Sequence, residues 1–192
     1  MEHANRCVFC ELCRTGAATG QHGPFWMMFD RHPVVPGHTL VIPKRHVMFL
    51  ADFNDEERST LTAALEHAVL DLRQHNLRRI YEEYWQNPVS PTAAWFARRA
   101  LDHPSLHTKP AGYNYGLNEG DAAGQTVDHL HWHVIPRYAG DMPDPRGGVR
   151  HVIPGMGNYK LLPPPPEPVE VTADEGMEED LRESRDMTPP RQ

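Results

Sequence analysis

The chain has 192 residues, 39% of them hydrophobic and 23% charged, which fits a globular protein with one sizeable core. It contains no long apolar run and begins with the polar stretch Met1–Arg6, so we expect no membrane span, no signal peptide and a cytoplasmic location. The net charge of −7 is concentrated in the acidic segment 163–192, which leaves a nearly neutral body and predicts no groove for DNA or RNA.

The three cysteines are confined to one short N-terminal stretch, at Cys7, Cys10 and Cys13. Cysteines so close together cannot link distant parts of a fold, and their odd number argues against a disulfide framework. They indicate a reducing compartment.

Two strands are predicted in the N-terminal half of the chain. Phe25–Phe29 and His38–Ile42 are short apolar runs, with the turn residues Pro36 and Gly37 before the second and Pro43 after it. We expect both strands to belong to one hairpin or meander.

A long helix is predicted after these strands. Asn54 followed by Glu57 is similar to a capping box, the arrangement that marks a helix start. Apolar residues then recur at helical spacing and are expected to pack on the sheet: Leu61, Leu65, Val69 and Leu72.

Residues 76–108 are predicted to be an insertion between the long helix and the next strand. Their first part could extend that helix, while Pro88 and Pro91 would break it. Ala93–Leu101 is expected to form a second, short helix.

The last two strands are predicted at Tyr113–Leu117 and His129–Ile135, joined by the glycine-bearing loop Asn118–Thr126. The backbone N–H groups of this loop, together with the side chains of Gln125 and Thr126, can bind phosphate oxygens. Beyond them, the polyproline run and the acidic residues of 163–192 predict a disordered tail, so we place the folded domain at residues 1–162.

Three histidines, His129, His131 and His133, are expected to line one face of the last strand, because successive side chains of a strand alternate between faces. Three imidazoles on one face suit metal binding, or phosphoryl chemistry that needs a nucleophile with flanking donors, and the spacing does not choose between them. The phosphate-binding loop just before them favours phosphoryl chemistry. His131 would attack phosphorus while a neighbouring histidine donates a proton.

Two separated motifs resemble the histidine-triad (HIT) superfamily. His129–Ile135 matches its His-φ-His-φ-His-φ-φ signature, where φ is hydrophobic, and Asp30–Pro43 is similar to its other characteristic stretch. Ala123–Val127 and Ile135–Arg137 resemble the fragile-histidine-triad branch and related bacterial enzymes. The resemblance implies an α+β fold, with a HIT-like antiparallel sheet of about five strands and packed helices, and a homodimer.

The same resemblance implies roles for individual residues. His131 matches the nucleophile, with His133 and Gln125 as the other catalytic residues, and the backbone carbonyl of His129 orients the ring of the nucleophile. The nucleotide contacts that it implies are Asp30, His38, Asn118, Gly124, Gln125, Thr126, Val127 and His133.

The Cys7-x-x-Cys10 pair is similar to that of some bacterial histidine-triad proteins which bind a structural zinc. The resemblance then implies that His46 and the side chain of His129 complete a Cys2His2 ligand set, a closed tetrahedral site. The alternative is that Cys7 and Cys10 are free thiols on a loose terminus. No organic cofactor is expected.

The function implied by the resemblance is hydrolysis of dinucleoside polyphosphates, such as diadenosine tetraphosphate or triphosphate, through a nucleotidyl-histidine intermediate. A nucleoside phosphoramidase and a dinucleoside polyphosphate phosphorylase are the alternative enzymes, and a nucleotide-binding protein without turnover is the non-enzymatic alternative. Three arginines after the triad could hold distal phosphates or simply face solvent: Arg137, Arg146 and Arg150.

Overall fold

Five strands form a single antiparallel sheet in the order β1-β2-β3-β5-β4. This computed structural model describes residues 7–153, so the predicted domain boundary after residue 162 and the predicted tail lie outside the described part. The strands are β1 (Gly20–His22), β2 (Phe25–Phe29), β3 (Thr39–Pro43), β4 (Gly112–Leu117) and β5 (Trp132–Arg137).

The predicted strands are present, and β1 is an addition to them. β2 and β3 pair directly, with Met27 opposite Val41, as expected for one meander. β3 also pairs with β5, with Leu40 opposite His133, so the last strand lies beside the N-terminal ones. The three residues of β1 carry no apolar alternation that would predict a strand.

β5 begins three residues later than predicted, at Trp132 instead of His129. The residues before it bond elsewhere: the amide of His129 donates to the carbonyl of Val127, and that of Leu130 to the carbonyl of Val47. The alternation of faces is nevertheless retained across the triad. Leu130, Trp132 and Val134 are buried in one core cluster, on the side away from the histidine rings.

The long helix α2 (Asp55–Leu72) begins with the predicted capping box. The side chain of Asn54 accepts from the amide of Glu57 at 2.9 Å, and the Glu57 carboxylate accepts from the amide of Asn54 at 2.9 Å. Glu57 also accepts two bonds from Arg45, at 2.7 and 3.1 Å, which tie the helix start to the end of β3. α2 covers one face of the sheet, over Phe25, Val41 and the apolar residues of β5.

The predicted insertion contains a helical hairpin, which we call the α3–α4 hairpin: α3 (Leu77–Gln86), the connection 87–90 and α4 (Pro91–Leu101). α3 is a helix of its own and does not extend α2, because Asn76 caps it through a 3.2 Å bond from the amide of Arg79. Ser90 caps α4 in the same way. The hairpin and neighbouring residues form a second apolar core around Phe29, Tyr81 and Ala97.

A short helix, α1 (Val8–Arg14), covers the other face of the sheet. Its Phe9 packs with Met28, Leu40 and Ile42, so β3 is buried on both faces. This is also the face on which the rings of His131 and His133 lie. None of the helices within residues 7–153 combines the length and the apolar character that a membrane crossing demands.

Candidate active site and candidate metal centre

His131 is buried beside the sheet, with its ring held in one orientation. Its Nδ1 lies 2.8 Å from the backbone carbonyl oxygen of His129. A carbonyl oxygen can only accept, so Nδ1 carries the proton and the lone pair of the neutral ring is on Nε2. Phe9 packs against the ring with a centroid distance of 4.9 Å. The arrangement provides a positioned nitrogen nucleophile.

His133 is linked to two upstream residues through a chain of polar contacts. Its Nδ1 lies 3.0 Å from Nε2 of His38, and Nδ1 of His38 lies 3.3 Å from a carboxylate oxygen of Asp30. The pairing of β3 with β5 places His38, just before β3, beside His133. Burial lowers the pKa of His38 to about 4, against the opposing effect of the Asp30 carboxylate. Burial, aided by His131, also lowers the pKa of His133.

A cavity of about 410 Å³ opens beside His131 and His133. Five residues predicted for the site line it: Asp30, Thr126, Val127, His131 and His133. Its remaining wall is mostly apolar and comes from α1, β2 and β3, through Phe9, Met28 and Leu40 among others. A cavity with one carboxylate among apolar side chains suits a ligand that has a flat apolar part and a separate part with hydroxyl groups.

The apolar wall was not predicted as part of the site. The register could have indicated two of its members, because Leu40 lies opposite His133 and Met28 lies opposite Leu40. Residues opposite each other in a sheet share a face. Nothing in the sequence pattern of α1 indicates that Phe9 reaches His131.

A second cavity of about 850 Å³ adjoins His133 on its other side. It is lined by the predicted residues His38 and Asn118, together with the aromatic side chain of Tyr115. His133 lines both cavities and therefore lies between them. This position suits a group that contacts a phosphate between two parts of one substrate.

Gly124 and Gln125 line neither of these two cavities. The side chain of Gln125 is bonded within its own loop: its oxygen accepts from the amide of Gly120 at 2.7 Å, and its nitrogen donates to the carbonyl of Val127 at 3.1 Å. Gly124 has φ +86°, the left-handed conformation that favours glycine. In this structure both residues shape the glycine-bearing loop.

Arg137 and Arg146, which were considered for distal phosphates, both pair with carboxylates. Arg137 donates twice to Asp141 at 2.8 Å and once to Asn114 at 2.8 Å. Arg146 donates to both carboxylate oxygens of Asp144. Their charges are therefore largely neutralised by neighbouring carboxylates.

A separate cluster brings together four side chains that could hold a metal ion, Cys7, Cys10, His46 and His129, with all ligand atoms within 4.8 Å of one another. Sulfur-to-nitrogen distances are 3.4 Å for Cys7–His129 and 3.5 Å for both Cys10–His129 and Cys10–His46. A tetrahedral zinc with Zn–S and Zn–N bonds of about 2.3 and 2.0 Å would place S and N about 3.5 Å apart.

The surroundings of the cluster also fit a metal. Nε2 of His129 lies 2.9 Å from the carbonyl oxygen of Pro43, so Nε2 carries the proton and Nδ1 is free to bind an ion. Burial, together with the adjacent Cys7, raises the pKa of Cys10 to about 11, so two thiolates here require a neighbouring cation. Cys13 lies outside the cluster.

Comparison with known proteins shows which family the chain resembles. The family profile described as HIT domain matches residues 16–140. The protein named Protein hit from Bacillus subtilis is 30% identical over 141 residues, which are 72% of this chain and 75% of that protein. The AP-4-A phosphorylase of Mycobacterium tuberculosis is 30% identical over 139 residues, 72% of this chain but 51% of that enzyme.

Among solved structures, a Zn-bound histidine triad family protein from Mycobacterium smegmatis has 31% sequence identity and a TM-score of 0.46, covering 73% of this chain and 86% of that one. The family profile spans well over half of the chain, and it includes the histidines that the sheet brings together. The chain belongs to the histidine-triad (HIT) family.

Proposed function

We propose that the chain cleaves dinucleoside polyphosphates, such as diadenosine tetraphosphate or triphosphate, through a covalent nucleotidyl intermediate on His131. The observation that carries the proposal is the 2.8 Å bond from His131 Nδ1 to the carbonyl of His129. It leaves the lone pair of Nε2 available in a buried site that adjoins the cavity of about 410 Å³, which we call the nucleoside cavity.

The reaction proceeds in two displacements at the α-phosphorus. In the first, Nε2 of His131 forms a bond to phosphorus, the bond from phosphorus to the bridging oxygen breaks, and the remaining polyphosphate leaves with that oxygen. In the second, water attacks the phosphorus, the P–N bond breaks, and a nucleoside monophosphate is released with the lone pair restored to Nε2. Two easier displacements replace one difficult one.

His133 is proposed as the donor to the phosphate oxygens. The tautomer of its partner His38 determines which ring nitrogen of His133 carries the proton. Nδ1 of His38 is 3.4 Å from the amide of Val34 and 3.3 Å from Asp30, and these contacts require opposite tautomers. If Val34 donates to His38, then Nε2–H of His38 donates to His133 and leaves an N–H of His133 for the phosphate. The negative charge of a bound phosphate favours this tautomer.

The two cavities supply the proposed binding mode. The nucleoside lies in the nucleoside cavity, with its ribose hydroxyls at Asp30 and its α-phosphate at His131 and His133. The leaving polyphosphate extends past Asn118 toward the second cavity. Thr126, Val127 and the amide groups of the glycine loop face the α-phosphate, and Gln125 would reach it only by leaving its bonds within the loop.

A structural zinc held by Cys7, Cys10, His46 and His129 is part of the proposal, supported by the sulfur-to-nitrogen distances given above. The ion would cross-link α1 to the end of β3 and to the residue before the nucleophile. It takes no part in the displacement at phosphorus, because all four of its protein ligands close the coordination sphere.

The test is product analysis with diadenosine tetraphosphate, with and without inorganic phosphate, and with an adenosine phosphoramidate. A hydrolase gives AMP and ATP, whereas a phosphorylase gives ADP and ATP only when phosphate is present. The phosphorylase is the second candidate, favoured by the name of the mycobacterial relative. His131→Asn should lower kcat by about 10³-fold or more while AMP still binds, and undiminished turnover in this variant would refute the mechanism.

A cytoplasmic location, the homodimer and the absence of an organic cofactor stay predictions. The homodimer has one feature in its favour: β4 is an outer strand of the sheet and exposes Tyr115, so a second copy could pair with it.

A further inference from the structure

We propose, building on the function above, that the α3–α4 hairpin determines nucleobase binding, through Val89 at the mouth of the nucleoside cavity. The connection between α3 and α4 brings Val89 to this cavity, where it lies beside residues of the Asp30–His32 turn. The hairpin thus extends a site whose other walls come from α1 and the sheet.

The hairpin is fixed to the turn that carries Asp30. The hydroxyl of Tyr84 donates to the carbonyl of Phe29 at 3.3 Å, and the guanidinium of Arg31 lies over the Tyr84 ring at 4.3 Å. The His32 ring meets Phe96 of α4 edge to face, with a centroid distance of 5.5 Å. These contacts come from both helices, so both arms of the hairpin hold the turn.

A fourth contact anchors the hairpin at the far end of the same segment. The amide of Gly37 donates to the buried hydroxyl of Tyr81 at 2.8 Å. Gly37 has φ +85°, a left-handed conformation that strains other residues, and a Cβ there would lie 2.8 Å from a methyl of Leu72. The hairpin therefore contacts the segment from Asp30 to Gly37 at both of its ends, which places Val89 near Asp30.

Val89 is 61% exposed, although it lines a largely apolar cavity. An apolar side chain in this position gains burial only when a ligand with an apolar surface fills the cavity. Val8 and Leu12 of α1 contribute apolar surface to the same cavity, and a nucleobase has the flat apolar faces that would contact such residues.

Val89 is on the nucleoside side of the reaction centre, because it is absent from the second cavity, which holds His38 and Asn118. A contact with the base does not change while the phosphorus reacts. It therefore stabilises the bound substrate and the transition state equally, and its loss should raise KM without lowering kcat.

The test compares Val89→Ala with Thr92→Ala, which removes another exposed β-branched residue three positions along the same hairpin. Calorimetric titration measures the Kd for AMP and for ribose 5-phosphate, which lacks the base. We expect Val89→Ala to weaken AMP binding about three- to tenfold, to leave ribose 5-phosphate binding unchanged, and to raise KM by a similar factor at unchanged kcat. Thr92→Ala should match the wild type.

Equal AMP affinity in Val89→Ala and Thr92→Ala would overturn the role of Val89, as would equal weakening of AMP and ribose 5-phosphate. Turnover that persists in His131→Asn would defeat the proposed mechanism but leave the AMP titrations valid. A wild-type protein that binds no AMP would overturn both proposals.

Discussion

Nδ1–H of His131 donates a hydrogen bond to the backbone carbonyl of His129, while the ring of His129 lies among Cys7, Cys10 and His46. One residue thus takes part in two sites through different atoms. Its carbonyl orients the nucleophile, and its imidazole joins the candidate metal cluster. The side chain of His129 can therefore be changed without removing the group that positions His131.

We predict that His129→Cys keeps both the metal and the activity. The resulting Cys3His set is also a closed zinc site, and the carbonyl that binds His131 is unchanged. Zinc should stay near one ion per chain, and kcat should remain within about fivefold of the wild type. His129→Ala is the comparison and should lose zinc. A His129→Cys protein that retains zinc but has lost all turnover would show that the imidazole itself serves the chemistry.

The metal cluster predicts different effects for two neighbouring cysteines. Cys10→Ala removes a ligand and should abolish stoichiometric zinc, with a large fall in the melting temperature, because binding of a structural zinc contributes directly to folding. Cys13→Ala is the matched control, since Cys13 lies outside the cluster. Elemental analysis and thermal unfolding of both variants provide the measurement. Zinc content that is equal in the two variants would contradict the proposed ligand set.

Burial of His38 predicts that acid destabilises the fold. The pKa of His38 is lowered to about 4, whereas an unfolded histidine has a pKa of about 6.5. Between these values the unfolded chain binds the proton more readily, so the free energy of unfolding falls as the pH drops from about 6.5 to about 4. The contribution of His38 is at most roughly 3 kcal/mol. Three further groups act on the pKa of this ring: Asp30 raises it, and His131 and His133 lower it.

The measurement is urea denaturation at a series of pH values for the wild type and His38→Gln. The variant lacks the titrating ring, so its stability should change less across this window. The difference in stability between the two proteins should therefore change across this window. Parallel curves would contradict the assignment to His38.

The buried carboxylate of Glu57 predicts a large cost for its removal. Glu57→Ala would leave the amide of Asn54 without its acceptor and would remove both carboxylate bonds of Arg45, which keeps the carbonyl of Asp52; it should destabilise the fold by about 2–4 kcal/mol. The adjacent Glu56 is exposed, so Glu56→Ala is the control and should stay within about 0.5 kcal/mol of the wild type. Chemical denaturation measures both, and similar losses would argue against the buried network.

Local patterns in the sequence correctly predicted several elements. The capping box at Asn54 set the start of α2, because its two bonds link residues only three positions apart. Alternation along residues 129–135 correctly placed Trp132 in the core and His131 on the opposite face. β5 begins later than predicted, because a strand starts where a neighbouring strand is available for pairing. Alternation in the sequence does not indicate that position.

The sequence by itself determined the histidine triad, the spacing of Cys7 and Cys10, and the alternation that sends the triad rings to one side of the sheet. Only the tertiary structure decided which distant groups meet. Cys7 contacts His129 across 122 positions and His38 contacts His133 across 95, and the α3–α4 hairpin is held against the turn at Asp30. Periodicity reports the burial of one element at a time, whereas such contacts depend on how separate elements pack, which no local pattern encodes.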